Sequence, residues 1–326
     1  MYRGPWHQCG DRSHKLVLEQ LKLGAGGGVI LSPRDLAKIN AIHYARYYVA
    51  LKAQILVDQQ FYYPDFTNDN LKSYDICEYR KTISQLHEIK DDDLSKLAYE
   101  LESINKELNA DGLIAPAILY EAGRPDIIEL NARLFKTSKH VGDILGIPTY
   151  ATVMLGKSAT SSGKTMKSIL SQATALNSDG WYFGFEFSQE RVPSSYLEVL
   201  KCCEAGLILA CTGLPVMHAY AGPMALLSLG FGATATAIGH FQNLWNITSQ
   251  RFSSPSKKGG GGAAPSRLFS KNLWGTIVYP DEFSRLSSTQ QTNILTTTSF
   301  SSNISPNGPL VLFSKWNANK HFATIP

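Results

Sequence analysis

Short apolar runs rich in β-branched and aromatic residues recur at 28–32, 54–58, 112–116, 149–155, 180–186, 214–218 and 233–238. Between them, 35–52, about 78–108, 124–145, 163–177, 193–210 and 221–230 have helical character. Brief, continuously apolar runs are the mark of strands covered on both faces, and the intervening segments are long enough to serve as crossover helices. Strict alternation of the two predicts parallel strands with right-handed connections. The pattern therefore predicts a (β/α)8 barrel, a TIM barrel, with a doubly wound open sheet as the alternative. The eighth strand is sought at 275–279, or in a segment that the pattern does not reveal.

Residues 205–250 contain no Asp, Glu, Lys or Arg and include the apolar window 221–239. Gly213-Leu-Pro215, Gly222-Pro223 and Gly230-Phe-Gly232 interrupt this stretch, so it reads as strand, helix, strand, and no membrane span is expected. After Arg251 the pattern breaks. Residues 253–266 form a Gly/Ser/Pro/Lys segment that cannot pack a core, and a Ser/Thr/Asn-rich stretch follows. The expected organisation is a barrel domain over 1–250 and a loop with a C-terminal extension over 251–326, which could complete the barrel. Of the overall charge of +4, this extension carries +6, with eight Lys or Arg against Asp281 and Glu282. Such an excess suits contact with a nucleic acid or a protein partner, or an ordinary solvated surface.

The 326 residues are 44% hydrophobic and 18% charged, a globular composition that excludes wholesale disorder. Five cysteines without a C-x-x-C pair argue against a disulfide framework and a thiolate zinc site, so a reducing cytoplasm is the expected compartment. No cofactor or metal is indicated, and the oligomeric state stays open.

In a barrel, chemistry belongs to residues just beyond each strand's C-terminal end. This rule selects Asp58, Glu186 and His218 as candidate catalytic groups. Arg34, Gln59, Phe61, Glu121, Tyr220, His240 and Gln242 are the candidate substrate-binding groups. Asp58 precedes two amides and Phe61-Tyr62-Tyr63, partly apolar walls that would raise its pKa and stack on a nucleobase. Glu186 lies among aromatics and needs a partner, for which Arg34 is available; a purely structural ion pair is equally consistent. His218 leads toward a helix opening at Gly222-Pro223, where an anion could be accepted, and 239–243 follows the strand that many barrels use for phosphate. The stretch 156–165 imitates a phosphate-binding loop but has Ser158 where that motif requires Gly. Nucleotide hydrolysis is not expected, although Lys157 and Lys164 could touch a nucleic-acid backbone.

The run from Leu214 to Ala235, with its Gly-Pro turn and Leu-rich helix, resembles the tRNA-guanine transglycosylase superfamily. Asp58 with the residues after it resembles that family's Asp-Ser-Gly-Gly-Phe-Gln segment. The resemblance implies a (β/α)8 barrel that exchanges guanine for a 7-deazaguanine in tRNA or DNA, with relatives in modification and defence systems, and it implies a role for Asp58 in base exchange. Ile238-Gly-His240 stands where the family's nucleophilic Asp would follow its strand, Gln59-Gln60 replace two glycines, and the zinc pattern is absent. Three functions thus stay open: base exchange or base hydrolysis, a catalytically inactive barrel that binds nucleic acid or protein, and a small-molecule barrel enzyme.

Overall fold

The computed structural model describes residues 1–295 except 2, 11–12, 80–88, 188–191, 241–243, 253–265, 271, 273–274 and 280. Gln242, the Gly-rich segment and most of the C-terminal extension lie outside the described residues. Two compact units are present, one of Met1–His14 with Gly26–Ser254 and one of Lys15–Ala25 with Pro255–Pro326.

The first unit holds a closed barrel of eight parallel strands in sequence order: β1 (Gly4–Gln8), β2 (Gly28–Leu31), β3 (Gln54–Val57), β4 (Gly112–Ile114), β5 (Thr149–Leu155), β6 (Gly180–Phe185), β7 (Val216–His218) and β8 (Ala235–Gly239). The seven runs read from the sequence are β2 to β8. The eighth strand is not at 275–279. It is β1, which pairs with β8 from Gly4↔Ala235 to Gln8↔Gly239 and with β2 at His7↔Val29. With Pro5 and two polar residues among five, β1 lacks the apolar run that marks its neighbours.

Helix α1 (His14–Lys22) follows β1, with its body in the second unit. Outside the strands of the first unit lie α2 (Lys38–Ala50), α3 (Asp91–Glu107), α4 (Pro125–Leu145), α5 (Gly163–Ala173), α6 (Tyr196–Ala210) and α7 (Ala225–Gly230). Their ends follow local chemistry. Asp91, Asp92 and Asp93 occupy the first turn of α3, where negative charge suits the helix dipole, and Asp93 accepts the Lys90 amide at 3.1 Å. Pro125 opens α4, and Gly146 closes it at φ 67°. The Ser195 hydroxyl caps α6 by accepting the Glu198 amide at 3.2 Å.

Alternate strand residues fill the barrel, among them Trp6, Ile30, Leu56, Tyr150, Tyr182 and Met217, while the other parity faces the helices. Gly28 makes room for Trp6, since a Cβ there would stand 2.4 Å from the indole ring. The segment after β8 returns over the barrel's C-terminal end, and its Leu244, Ile247 and Phe252 join the same buried cluster. No helix among the described residues is long and apolar enough to cross a membrane.

In the second unit, β9 (Ser266–Ser270) and β10 (Gly275–Tyr279) form an antiparallel hairpin, and helix α8 (Ser288–Ile294) follows. Tyr279 and Phe283 make its small core, with ring centroids 5.7 Å apart.

Candidate active site

The floor of the barrel mouth is one carboxylate enclosed by three phenols. Asp58 follows β3 on the inward parity and is 1% exposed. Its Oδ1 accepts the Tyr62 hydroxyl at 2.7 Å and the Gln60 amide at 2.9 Å. Its Oδ2 accepts the hydroxyls of Tyr182 at 2.9 Å and Tyr220 at 2.7 Å. Burial raises the Asp58 pKa, against the opposing pull of Tyr62, Tyr220, Tyr182 and the Gln60 amide. Gln60 reaches from one loop to another, donating through Nε2 to the Tyr220 hydroxyl at 2.7 Å and to Ser32 at 3.1 Å. Gln60 and Tyr220 both hold left-handed backbones at φ 54°, a conformation costly for side-chain-bearing residues that tends to collect at working sites. Gln59 and Phe61 are buried beside Asp58, and neither faces open solvent.

Above this floor a second carboxylate cluster is nearer to solvent. Glu186 follows β6 and is 8% exposed. It accepts the Tyr63 hydroxyl through Oε1 at 2.8 Å and the Lys157 amide through Oε2 at 3.4 Å, with the Lys157 ammonium 4.0 Å away. Half-buried Glu121 accepts the Ser158 hydroxyl, which itself accepts the Ala122 amide at 2.9 Å. Two carboxylates from different loops therefore converge on the turn at 156–158. Gly156 packs closely at this turn, where a Cβ would stand 2.5 Å from Glu121 Oε1 and 3.0 Å from the Tyr120 carbonyl. Burial raises the Glu121 pKa first and the nearby Glu186 charge raises it further, while Arg124 and Lys157 oppose both. A carboxyl whose pKa is raised by burial and by a neighbouring carboxylate is an arrangement suited to general acid–base work.

Several expectations need correction. Arg34 does not pair with Glu186. Its Nη1 lies 2.5 Å from Asp35 Oδ1, and Nη2 donates to the Arg251 carbonyl. His218 and His240 sit at strand ends on the outward parity, turned from the mouth. His218 stacks on Phe183 at 4.6 Å and meets the Ser228 hydroxyl of α7 at 2.5 Å, and burial lowers its pKa to about 3. His240 stacks on His7 at 5.3 Å. Tyr220 lies in the floor, as its loop position suggested. The sequence did not single out Tyr182 or Arg251, and it offered Tyr62 and Tyr63 as aromatic walls, whereas their hydroxyls bond Asp58 and Glu186. The turn that imitates a phosphate loop is the one to which both glutamates bind. Among the described residues no group of three His, Cys, Asp or Glu could hold a metal. Cys9, Cys202, Cys203 and Cys211 are free thiols.

Fold and site together define a (β/α)8-barrel protein with a sealed carboxylate floor and a carboxylate pair at its rim. No protein-family model matches the chain, and no curated protein matches it. Solved structures similar to it include a glycerol uptake operon antiterminator-related protein from Thermotoga maritima, at 14% identity and TM-score 0.39 over 75% of this chain and 99% of that one. An enolase protein from Sargasso Sea environmental sequence is similar at 11% identity and TM-score 0.38, over 73% of this chain and 54% of that one. A xylose isomerase-like TIM barrel/4-hydroxyphenylpyruvate dioxygenase fusion protein is similar at 13% identity and TM-score 0.40, over 78% of this chain and 40% of that one. The fold assignment rests on the closed strand order and not on these likenesses.

Proposed function

We propose that the barrel takes a guanine-type base of a nucleic acid at its mouth and exchanges or releases it, with Glu186 reading the base and Glu121 moving the proton. The observation that carries this reading is the convergence of Glu121 and Glu186 on one turn beside the Tyr63 hydroxyl. Guanine presents adjacent N–H donors on its pairing edge, and a carboxylate complements them with two acceptors. A protonated Glu121 would donate to the departing base as the sugar–nitrogen bond breaks. Water, or an incoming base that forms the new bond, would return a proton to it. Asp58 then acts as a positioning residue, holding Gln60 and Tyr220 in place without touching substrate.

The guanine class rests on the resemblance of the Asp58 and 214–235 segments to the transglycosylases. A second reading, a catalytically inactive barrel that binds nucleic acid or protein, is favoured by a different observation. Asp58, the residue to which that resemblance points, has both oxygens occupied by four donors and is sealed from solvent.

Radiolabelled guanine supplied with tRNA, or with duplex DNA, separates the two. The first reading predicts label entering the polymer, and a loss of about a hundredfold in Glu186→Gln and in Glu121→Gln with unchanged circular dichroism. If polymer binds but no label enters and no base is released, the inactive barrel is the function.

A further inference from the structure

Two arginines at the edge of the mouth hold hydrogen-bonding capacity that the described residues do not use. Arg34 follows β2, and Arg251 lies in the tight turn Ser249–Phe252 that ends the segment after β8. They grip Asp35 from both sides, Arg34 Nη1 at 2.5 Å from Oδ1 and Arg251 Nη2 at 2.7 Å from Oδ2. The Arg34 guanidinium lies 5.3 Å from the Phe66 ring centroid and 5.6 Å from that of Phe252. Arg251 lies 5.1 Å from Tyr220 and 5.5 Å from Phe252. The Arg251 side chain is 3% exposed and that of Arg34 19%.

Aromatic rings attract a cation, but they do not supply in-plane acceptors for its N–H groups. Three such groups, Nε of Arg34 and Nε and Nη1 of Arg251, are buried with no acceptor among the described residues. An unpaired buried donor forfeits its hydrogen bond to water, and a charged one loses more. Asp35 is the carboxylate that both guanidiniums bond, and Asp58 adds a longer-range attraction on Arg251. Asp58 cannot supply the missing acceptor, since four donors already take its oxygens.

We infer that Arg34 and Arg251 form a binding site for a phosphoryl oxyanion, whose oxygens take the three unused N–H groups. A carboxylate offers two oxygens in one plane, which suits one guanidinium edge. Two guanidiniums that share the Phe252 ring and leave three N–H groups unused call for the several acceptors of a tetrahedral anion. The inference is independent of the acid–base reading and stands whether or not Glu121 and Glu186 do chemistry. Free phosphate and the phosphate of a nucleotide share the chemistry.

The test is calorimetric titration of the full chain with inorganic phosphate at low ionic strength, against chloride of equal ionic strength. Saturable binding is expected, weakened at least about tenfold in Arg34→Lys, which keeps the charge but loses the planar donor fork. A nucleoside 5′-monophosphate that binds more tightly than phosphate assigns the site to a nucleotide; equal binding assigns it to the free ion. No saturable binding in the wild type, or equal affinity in Arg34→Lys, overturns the inference. Should Arg34→Lys fail to fold, the wild-type melting temperature decides: a rise that follows a saturating binding curve in phosphate and is absent in chloride supports the site, whereas no rise, or the unsaturating rise that an excluded salt gives any protein, overturns it.

Discussion

Four buried ionisable side chains of this barrel owe their different fates to their immediate neighbours. Asp58 tolerates burial because four donors meet its two oxygens, and Glu186 because a phenol and a backbone amide do. His218 and His14 are kept neutral, their pKa values lowered to about 3 and about 4 chiefly by burial. The signs of the resulting pH effects are opposite. A histidine with a lowered folded pKa binds its proton more readily when unfolded, so its stabilising contribution is full above the unfolded value near 6.5 and is lost as pH falls. The raised carboxyl of Asp58 favours the protonated fold, so its effect weakens the fold as pH rises from the unfolded value of 3.8 toward its folded pKa. Urea unfolding of wild type and His218→Gln at pH 7.5, 6.0 and 5.0 isolates the histidine effect. Below pH 6.5 the wild type should lose about 1.4 kcal/mol per pH unit relative to the variant. Parallel curves would show that His218 takes up its proton within the folded protein.

At the scale of elements, legibility followed chemistry. The strands β2 to β8 were readable because a barrel strand covered on both faces has little room for polar residues, as the fully buried β5 and β6 show. β1 was not readable, because Gln8 belongs to the polar floor of the mouth and stands 3.3 Å from the Tyr182 hydroxyl. The segment 275–279 imitated a barrel strand because an apolar β-run does not encode its partner, here β9. The rule that chemistry sits at strand ends selects Asp58, Glu121 and Glu186, which the barrel gathers at its mouth. It misplaced His218 and His240 because a strand's period of two turns alternate residues outward. The tyrosine floor was hidden for another reason: Tyr62, Tyr182 and Tyr220 meet only through closure of the barrel. Pairing of β1 with β2 fixes the contact between Gly28 and Trp6. Gly28→Ala puts a methyl against the indole, and about 1–3 kcal/mol of unfolding free energy should be lost, with a change in Trp emission. Unchanged stability would mean that Trp6 has free space to move.

At the scale of the whole molecule, charge and fold are separately distributed. The basic excess of the chain lies in 251–326, whereas the carboxylate pair is in the barrel unit. If the extension supplies the nucleic-acid contact, deleting residues 255–326 should weaken tRNA or DNA binding and flatten its dependence on salt, because fewer counterions are released. Filter binding between 50 and 200 mM salt, roughly the range over which such contacts respond, measures both quantities. Identical slopes for the full and shortened chains would assign the contact to the barrel.

The seam between β1 and β8 also governs when the protein can fold. It joins residues 4–8 to residues 235–239, so the ring stays open until nearly the whole first unit has left the ribosome. Until then β1 has only β2 as a neighbour, and the inward Trp6 and Gln8 have no finished interior to enter. Pairing across so long a stretch of chain is intrinsically slow, and it leaves strand edges exposed in the meantime. Nascent chains stalled before residue 235 should therefore be the species that a chaperone recognises, and release past that point the event that frees them.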